Sequence, residues 1–221
     1  MTSNPLTVPT TRHDIHALLR IPAGAEWLYV FAHGAGAGMR HAFMEAAADA
    51  LSDRGIATLR YEYPYMSAGS RRPDRAPVLE AVTRDVVTFA AESYPELRIA
   101  AGGKSMGGRM TSRAQSEAPL PQVEALIFFG FPLHPPKVPS TGRADHLARV
   151  EVPLLFLQGT RDTLADLEMM KGVTAELGDR ATLHVLDGAD HGFAVLKRSG
   201  RTDGEVLSEM ADTVAAFLSD R

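Results

Sequence analysis

The chain has 221 residues, 45% of them hydrophobic, and carries 23 basic against 27 acidic residues for a net charge of −4. That length suits one α/β domain spanning 1–221 with a sizeable core, and the mild acidity argues against a nucleic-acid or anionic-membrane partner. With no cysteine at all, a disulfide framework, a thiolate nucleophile and a Cys-based zinc site are excluded.

The opening Met1-Thr-Ser-Asn-Pro-Leu-Thr-Val-Pro9 lacks the basic and apolar regions of a secretory leader, and no apolar run approaches the roughly 20 residues that span a bilayer. A soluble cytoplasmic protein is the expectation. His13–Ile21 and Trp27–Ala32 read as a hairpin joined by Pro22–Glu26, and the second strand runs into His33-Gly34-Ala35-Gly36-Ala37-Gly38. Ala42–Arg54 is an Ala-rich helix with Gly55 placed to end it. A strand follows over Ile56–Tyr63, then a helix over Val78–Ser93 with Val82, Val86, Phe89 and Ala90 on one face.

The apolar segment Leu97–Gly102 enters Gly103-Lys104-Ser105-Met106-Gly107, which opens into the helical stretch Gly108–Glu117. Beyond it lie a strand over Ala125–Gly130 and a segment Phe131–Val152, rich in Pro and Gly, with one short helix at Ala144–Arg149. The strand Pro153–Gln158 ends in Gly159-Thr160-Arg161-Asp162, and the helical stretch Leu164–Leu177 follows. The strand Thr182–Leu186 leads to Asp187-Gly-Ala-Asp190-His191-Gly192-Phe193, and the last helix covers Thr202–Leu218. Alternation of this kind predicts an α/β fold: a mostly parallel twisted sheet of about seven or eight strands, helices on both faces and no large lid.

Strand, Gly-x-Ser-x-Gly, helix is the context of a nucleophile elbow, in which flanking glycines permit a turn too tight for Cβ atoms and the serine Oγ is lifted above the sheet. Ser105 is therefore the expected nucleophile. The chain order nucleophile, acid, histidine assigns Asp162 as the acid and His191 as the base. The imidazole would take the serine proton while the carboxylate accepts the other ring N–H and fixes the tautomer. Asp166 falls within the helical stretch and is expected to face solvent. Asp187 and Asp190 are expected to shape their turn, as such side chains do by bonding to nearby backbone. His13, His16 and His184 belong to strands or their flanks and suit surface or packing roles, whereas His134 follows a strand, could line the pocket and is the rival base. The oxyanion hole is expected from the amides of Met106 and Ala35.

Tyr65, Met66, Leu133, His134, His33, Gly34 and Gly36 are the expected pocket walls. Lys104, Arg109 and the Arg71–Arg72 pair could meet an anionic part of a substrate, although a solvated loop suits Arg71 and Arg72 better. Two look-alikes fail on spacing. A phosphate-binding loop needs a glycine five residues before Gly103, where Arg98 stands. A dinucleotide fingerprint needs its third glycine at position 39, which is Met39, although Glu62 ends a strand where a ribose-binding acid would.

Together these residues resemble the α/β-hydrolase superfamily across nearly the whole chain. More narrowly, His33–Gly38, Tyr63-Pro-Tyr-Met66 with Arg71-Arg-Pro-Asp74, Gly102–Arg109, Phe131–Pro136 and Gly159–Asp162 are similar to a small lidless group. This is the dienelactone-hydrolase-like group that includes testis-expressed hydrolase-like proteins and a chromatin-complex subunit. The resemblance implies a Ser105–Asp162–His191 site with no cofactor and no metal, acting on the ester or thioester of a small-molecule acyl substrate. Dienelactone hydrolases proper carry a cysteine nucleophile, and Ser105 departs from them. The chromatin-complex relative implies an alternative, a catalytically silent binding scaffold; retention of all three site residues favours the enzyme.

Overall fold

The computed structural model describes residues 3–221. The strands are β1 (Asn4–Val8), β2 (Ile15–Arg20), β3 (Trp27–Ala32), β4 (Ile56–Tyr61), β5 (Arg98–Lys104), β6 (Val123–Phe129), β7 (Leu154–Gly159) and β8 (Ala181–Leu186). They form one sheet in the order β1-β2-β4-β3-β5-β6-β7-β8. β1 and β2 are antiparallel to their neighbours, and every pairing from β4 through β8 is parallel. The helices are α1 (Ala42–Ser52), α2 (Pro64–Ser67), α3 (Ala76–Ser93), α4 (Met106–Glu117), α5 (Leu167–Leu177) and α6 (Asp203–Ser219).

The strand period of two divides the core into two layers. Leu28, Val30 and Ala32 of β3 pack with Val82 and Val86 of α3, Met110 of α4 and Met170 of α5. Tyr29 and Phe31, pointing the other way, pack with Met44 and Leu51 of α1 and with Met210 and Val214 of α6. Both faces of the parallel region are thus covered, and β3, β4 and β7 are buried at every position, as sheets flanked by helices on both sides require. α6 is entered through a capping box in which Thr202 and Glu205 each bond the other's backbone amide.

Two sequence expectations are corrected. Residues 13–21 and 27–32 do not form a hairpin, because β4 lies between β2 and β3. The connection Ile21–Glu26 steps over one strand, a gap of about 10 Å that six residues span with ease. β1 is an additional strand beyond those expected from the sequence. Its Pro5 and the following Pro9 depress strand propensity, but a sheet edge tolerates proline. The segment between β6 and β7 holds a single five-residue 3-10 turn, Asp145–Arg149, so no lid domain is inserted.

Candidate active site

β5 lies in the middle of the sheet, and its end turns directly into α4. Ser105 has φ 51° and ψ −114°, a left-handed region in which a residue bearing Cβ is strained. The glycines around it are dictated by space. A Cβ on Gly103 would lie 2.4 Å from the Ala32 carbonyl oxygen, and one on Gly107 would lie 2.5 Å from the same atom. The Ser105 amide donates to the Phe129 carbonyl of β6 at 3.1 Å, which ties the turn to the neighbouring strand. α4 begins at the next residue, Met106.

Asp162 follows β7 through a turn closed by its own amide on the Gly159 carbonyl. Its side chain is fully buried. Oδ2 accepts from His191 Nδ1 at 2.7 Å and from Gln158 Nε2 at 2.6 Å, and Oδ1 accepts from the Leu164 amide at 2.7 Å. Those donors supply the partners that a buried carboxylate needs. Gln158, the inward-facing residue near the end of β7, was not singled out in the sequence; only its place before the Gly159 turn marks it.

His191 is carried on the turn after β8. Its Nε2 is 2.9 Å from Ser105 Oγ. With Nδ1 donating to Asp162, Nε2 is the accepting nitrogen, and the serine hydroxyl donates to it. The turns of Asp162 and His191 are built together: the Arg161 amide donates to the Ala189 carbonyl at 2.9 Å, and a Cβ on Gly159 would lie 2.3 Å from that oxygen. Asp190 Oδ1 accepts from the Gly192 and Ala194 amides and so shapes the turn. Among the described residues, the Asp187 carboxylate accepts one hydrogen bond, from Thr160 Oγ1 at 3.4 Å.

The loop after β3 faces Ser105 across a cavity of about 320 Å³, lined by Gly34, Ala35, Phe43, Lys104, Leu164 and His191 among others. Among the described residues, the amides of Ala35 and Met106 make no hydrogen bond. The Met106 amide is also one of the unpaired donors that open a helix. His33 and Tyr65 brace this loop from behind. His33 is fully buried, its Nδ1 donating to the Gly34 carbonyl at 2.8 Å and its Nε2 accepting from the Tyr63 amide at 3.1 Å. Burial pushes it from the ordinary 6.5 down to about 4, so it stays neutral. The Tyr65 hydroxyl accepts from the Gly36 amide at 3.1 Å.

Other expected wall residues stand elsewhere. His134 is buried and turned inward, its Nδ1 donating to the Pro135 carbonyl and its Nε2 accepting from the Asp166 amide. It is not a rival to His191. Asp166 is the exposed N-cap of α5 rather than an interior helix residue, and it accepts from the Met169 amide. Met66 lines a different cavity of about 480 Å³ with His16, Arg40 and Glu62. Arg109 faces Arg113, Arg143 and Glu80 and stays out of the cavity at Ser105. Arg71 and Arg72 are exposed. His41, Phe43 and Leu164, which do line that cavity, come from elements remote in sequence, and no motif marks them.

A family model described as an alpha/beta hydrolase domain matches residues 25–219. The chain belongs to the α/β-hydrolase family. Among solved structures, it is similar to a dienelactone hydrolase from Anabaena variabilis, with TM-score 0.80, 20% identity, and 99% of this chain and 97% of that one covered. It is also similar to an α/β serine hydrolase homologue from Coxiella burnetii, with TM-score 0.77 and 19% identity over 96% of this chain and 98% of that one. A serine hydrolase without a lid from Xanthomonas campestris aligns with TM-score 0.76 and 18% identity over 98% and 95%. At these identities the likeness is one of fold.

Buried neutral histidines couple the stability of this α/β-hydrolase domain to pH. His146, held against Ser112 Oγ at 2.7 Å, is also lowered to about 4, by burial and by Arg113, Arg109 and Arg149. Between the ordinary 6.5 and about 4, the unfolded chain binds protons that His33 and His146 refuse in the folded state. Stability is therefore fully present above pH 6.5 and declines as pH falls. Urea midpoints are expected to drop between pH 6.5 and 5.5, where most carboxylates remain ionised, and to drop less in His146→Gln. Equal losses in the two proteins would contradict this assignment.

Proposed function

We propose that the protein hydrolyses esters or thioesters of small acyl compounds through an acyl-enzyme on Ser105. The observation that carries this reading is the unbroken series from Ser105 Oγ to His191 Nε2 and from His191 Nδ1 to Asp162 Oδ2, at 2.9 and 2.7 Å. Neutral His191 removes the hydroxyl proton as Oγ attacks the substrate carbonyl, and Asp162 holds the ring in the required tautomer and stabilises the imidazolium. The tetrahedral oxygen takes its hydrogen bonds from the Ala35 and Met106 amides, each worth on the order of a hundredfold in turnover. His191 returns the proton to the departing alcohol or thiol. Water then attacks the acyl-serine by the same route in reverse, releasing the acid and restoring Ser105.

The cavity of about 320 Å³, without a lid over it, supports a small, freely entering acyl substrate. No cofactor takes part in this sequence of steps. An aspartate at the elbow, as used for epoxide or haloalkane opening, is absent because the position is Ser105.

Hydrolysis of p-nitrophenyl acetate and of a short acyl thioester tests the assignment. Ser105→Ala should fall to the background rate with its fold intact, since a half-buried hydroxyl lining an open cavity contributes little to packing. Asp162→Asn should lose on the order of a thousandfold or more through the wrong histidine tautomer. A Ser105→Ala protein that kept more than about a tenth of wild-type turnover would contradict the reading. A folded wild type inert toward every acyl donor would favour the scaffold role instead.

A further inference from the structure

One charged group in the cavity has no part in the steps above. Lys104 directly precedes Ser105 and lines the same cavity. Its Nζ donates to the main-chain carbonyl of His191 at 2.5 Å, a contact between residues 87 positions apart. The ammonium also lies 4.9 Å from the centre of the Phe193 ring and 5.7 Å from that of Phe43, and those two rings stack on each other at 5.5 Å. Gly130 closes the enclosure: at φ +70°, a Cβ there would lie 3.1 Å from Nζ and 3.5 Å from the His191 ring.

We propose that Lys104 is a positioning residue for the base, its ammonium tying the turn that carries His191 to the elbow that carries Ser105. The inference rests on the reading of Ser105 and His191 given above. The turn needs such a tie. Phe193, two residues beyond His191, is a bulky buried side chain held at φ 67°, a conformation that persists only where its surroundings enforce it. A charge-assisted bond to the His191 carbonyl, together with cation–π contact to the Phe193 ring, supplies that enforcement from the residue adjoining the nucleophile. A shift of the imidazole by 1 Å would cost up to a hundredfold.

The tie depends on charge. Burial pulls Lys104 from 10.5 down to about 8, against the opposing pull of the Asp162 and Asp190 carboxylates. The other titratable groups facing it are the His191 ring and, across the cavity, His41. The ammonium is therefore present at neutral pH and is lost as pH rises through about 8. The neutral amine keeps only a weaker bond to the carbonyl and no cation–π contact.

The test is the second-order rate of Ser105 labelling by a fluorophosphonate between pH 6 and 9.5, with circular dichroism at each pH. Wild type, Lys104→Met, Lys104→Arg and Ser105→Ala are compared. Wild type should slow above about pH 8. Lys104→Met should label on the order of ten- to a hundredfold more slowly at pH 7 and show no alkaline decline. Lys104→Arg, whose charge persists, should recover part of the rate and also lack the decline. A Lys104→Met rate within about twofold of wild type would overturn the proposal, as would an alkaline decline missing from wild type or surviving in either variant. Should Lys104→Met not fold, the wild-type and Lys104→Arg profiles decide alone. A wild type that fails to label, or a Ser105→Ala protein that labels equally, removes the underlying reading and this role with it. Normal labelling with indifference at position 104 removes this role only.

Discussion

Between the carbonyl of Ala32 and the backbone of Gly103 and Gly107 there is no room for a Cβ: the built positions fall 2.4 and 2.5 Å from that oxygen. This close approach of β3, the end of β5 and the start of α4 determines the rest of the site. It forces the chain to reverse direction within a residue and leaves Ser105 in a left-handed conformation. Such strain costs of order 1–3 kcal/mol and survives only because the flanking elements over-determine it. Here they do so through the strand pairing of β5 on both sides and the bond from the Ser105 amide to Phe129. The same reversal presents the first amides of α4 beside the serine, so the proposed nucleophile and the proposed anion-stabilising donor arise from one turn.

The parallel run of the sheet then gathers the remaining groups. Because β3, β5, β6, β7 and β8 all point the same way, the loops after them emerge at one edge. Residues far apart in sequence meet there without any dedicated scaffold. What keeps them in register is a set of small, specific braces: Gln158 under Asp162, Ala189 against Arg161, His33 and Tyr65 behind the Gly34–Gly36 loop, and Lys104 across to His191. Each brace satisfies a polar group that burial would otherwise leave costly.

The elbow, Asp162 and His191 were legible in the sequence because each is punctuated by glycine at a strand end, where spacing alone reveals geometry. The alternation of strands and helices was legible for a similar reason, since both periodicities are local. The order of strands was not local. Nothing in residues 13–32 shows that β4 will insert between β2 and β3, because that depends on where the crossover through α1 returns. His134 looked like a pocket residue because it follows β6, yet its side chain turns inward to hold the Asp166 amide. Phe43 and Leu164 carry no signal of their own, because an apolar residue lining a cavity reads in sequence like one filling a core.

The proposed hydrolysis requires that Ser105 become acylated during turnover. Wild-type protein mixed with p-nitrophenyl acetate, quenched in acid within the first turnovers and digested for mass spectrometry, tests it most directly. One acetyl group per chain is expected, on the peptide carrying Ser105. Turnover with that peptide unmodified, or with the acetyl on another residue, would contradict it.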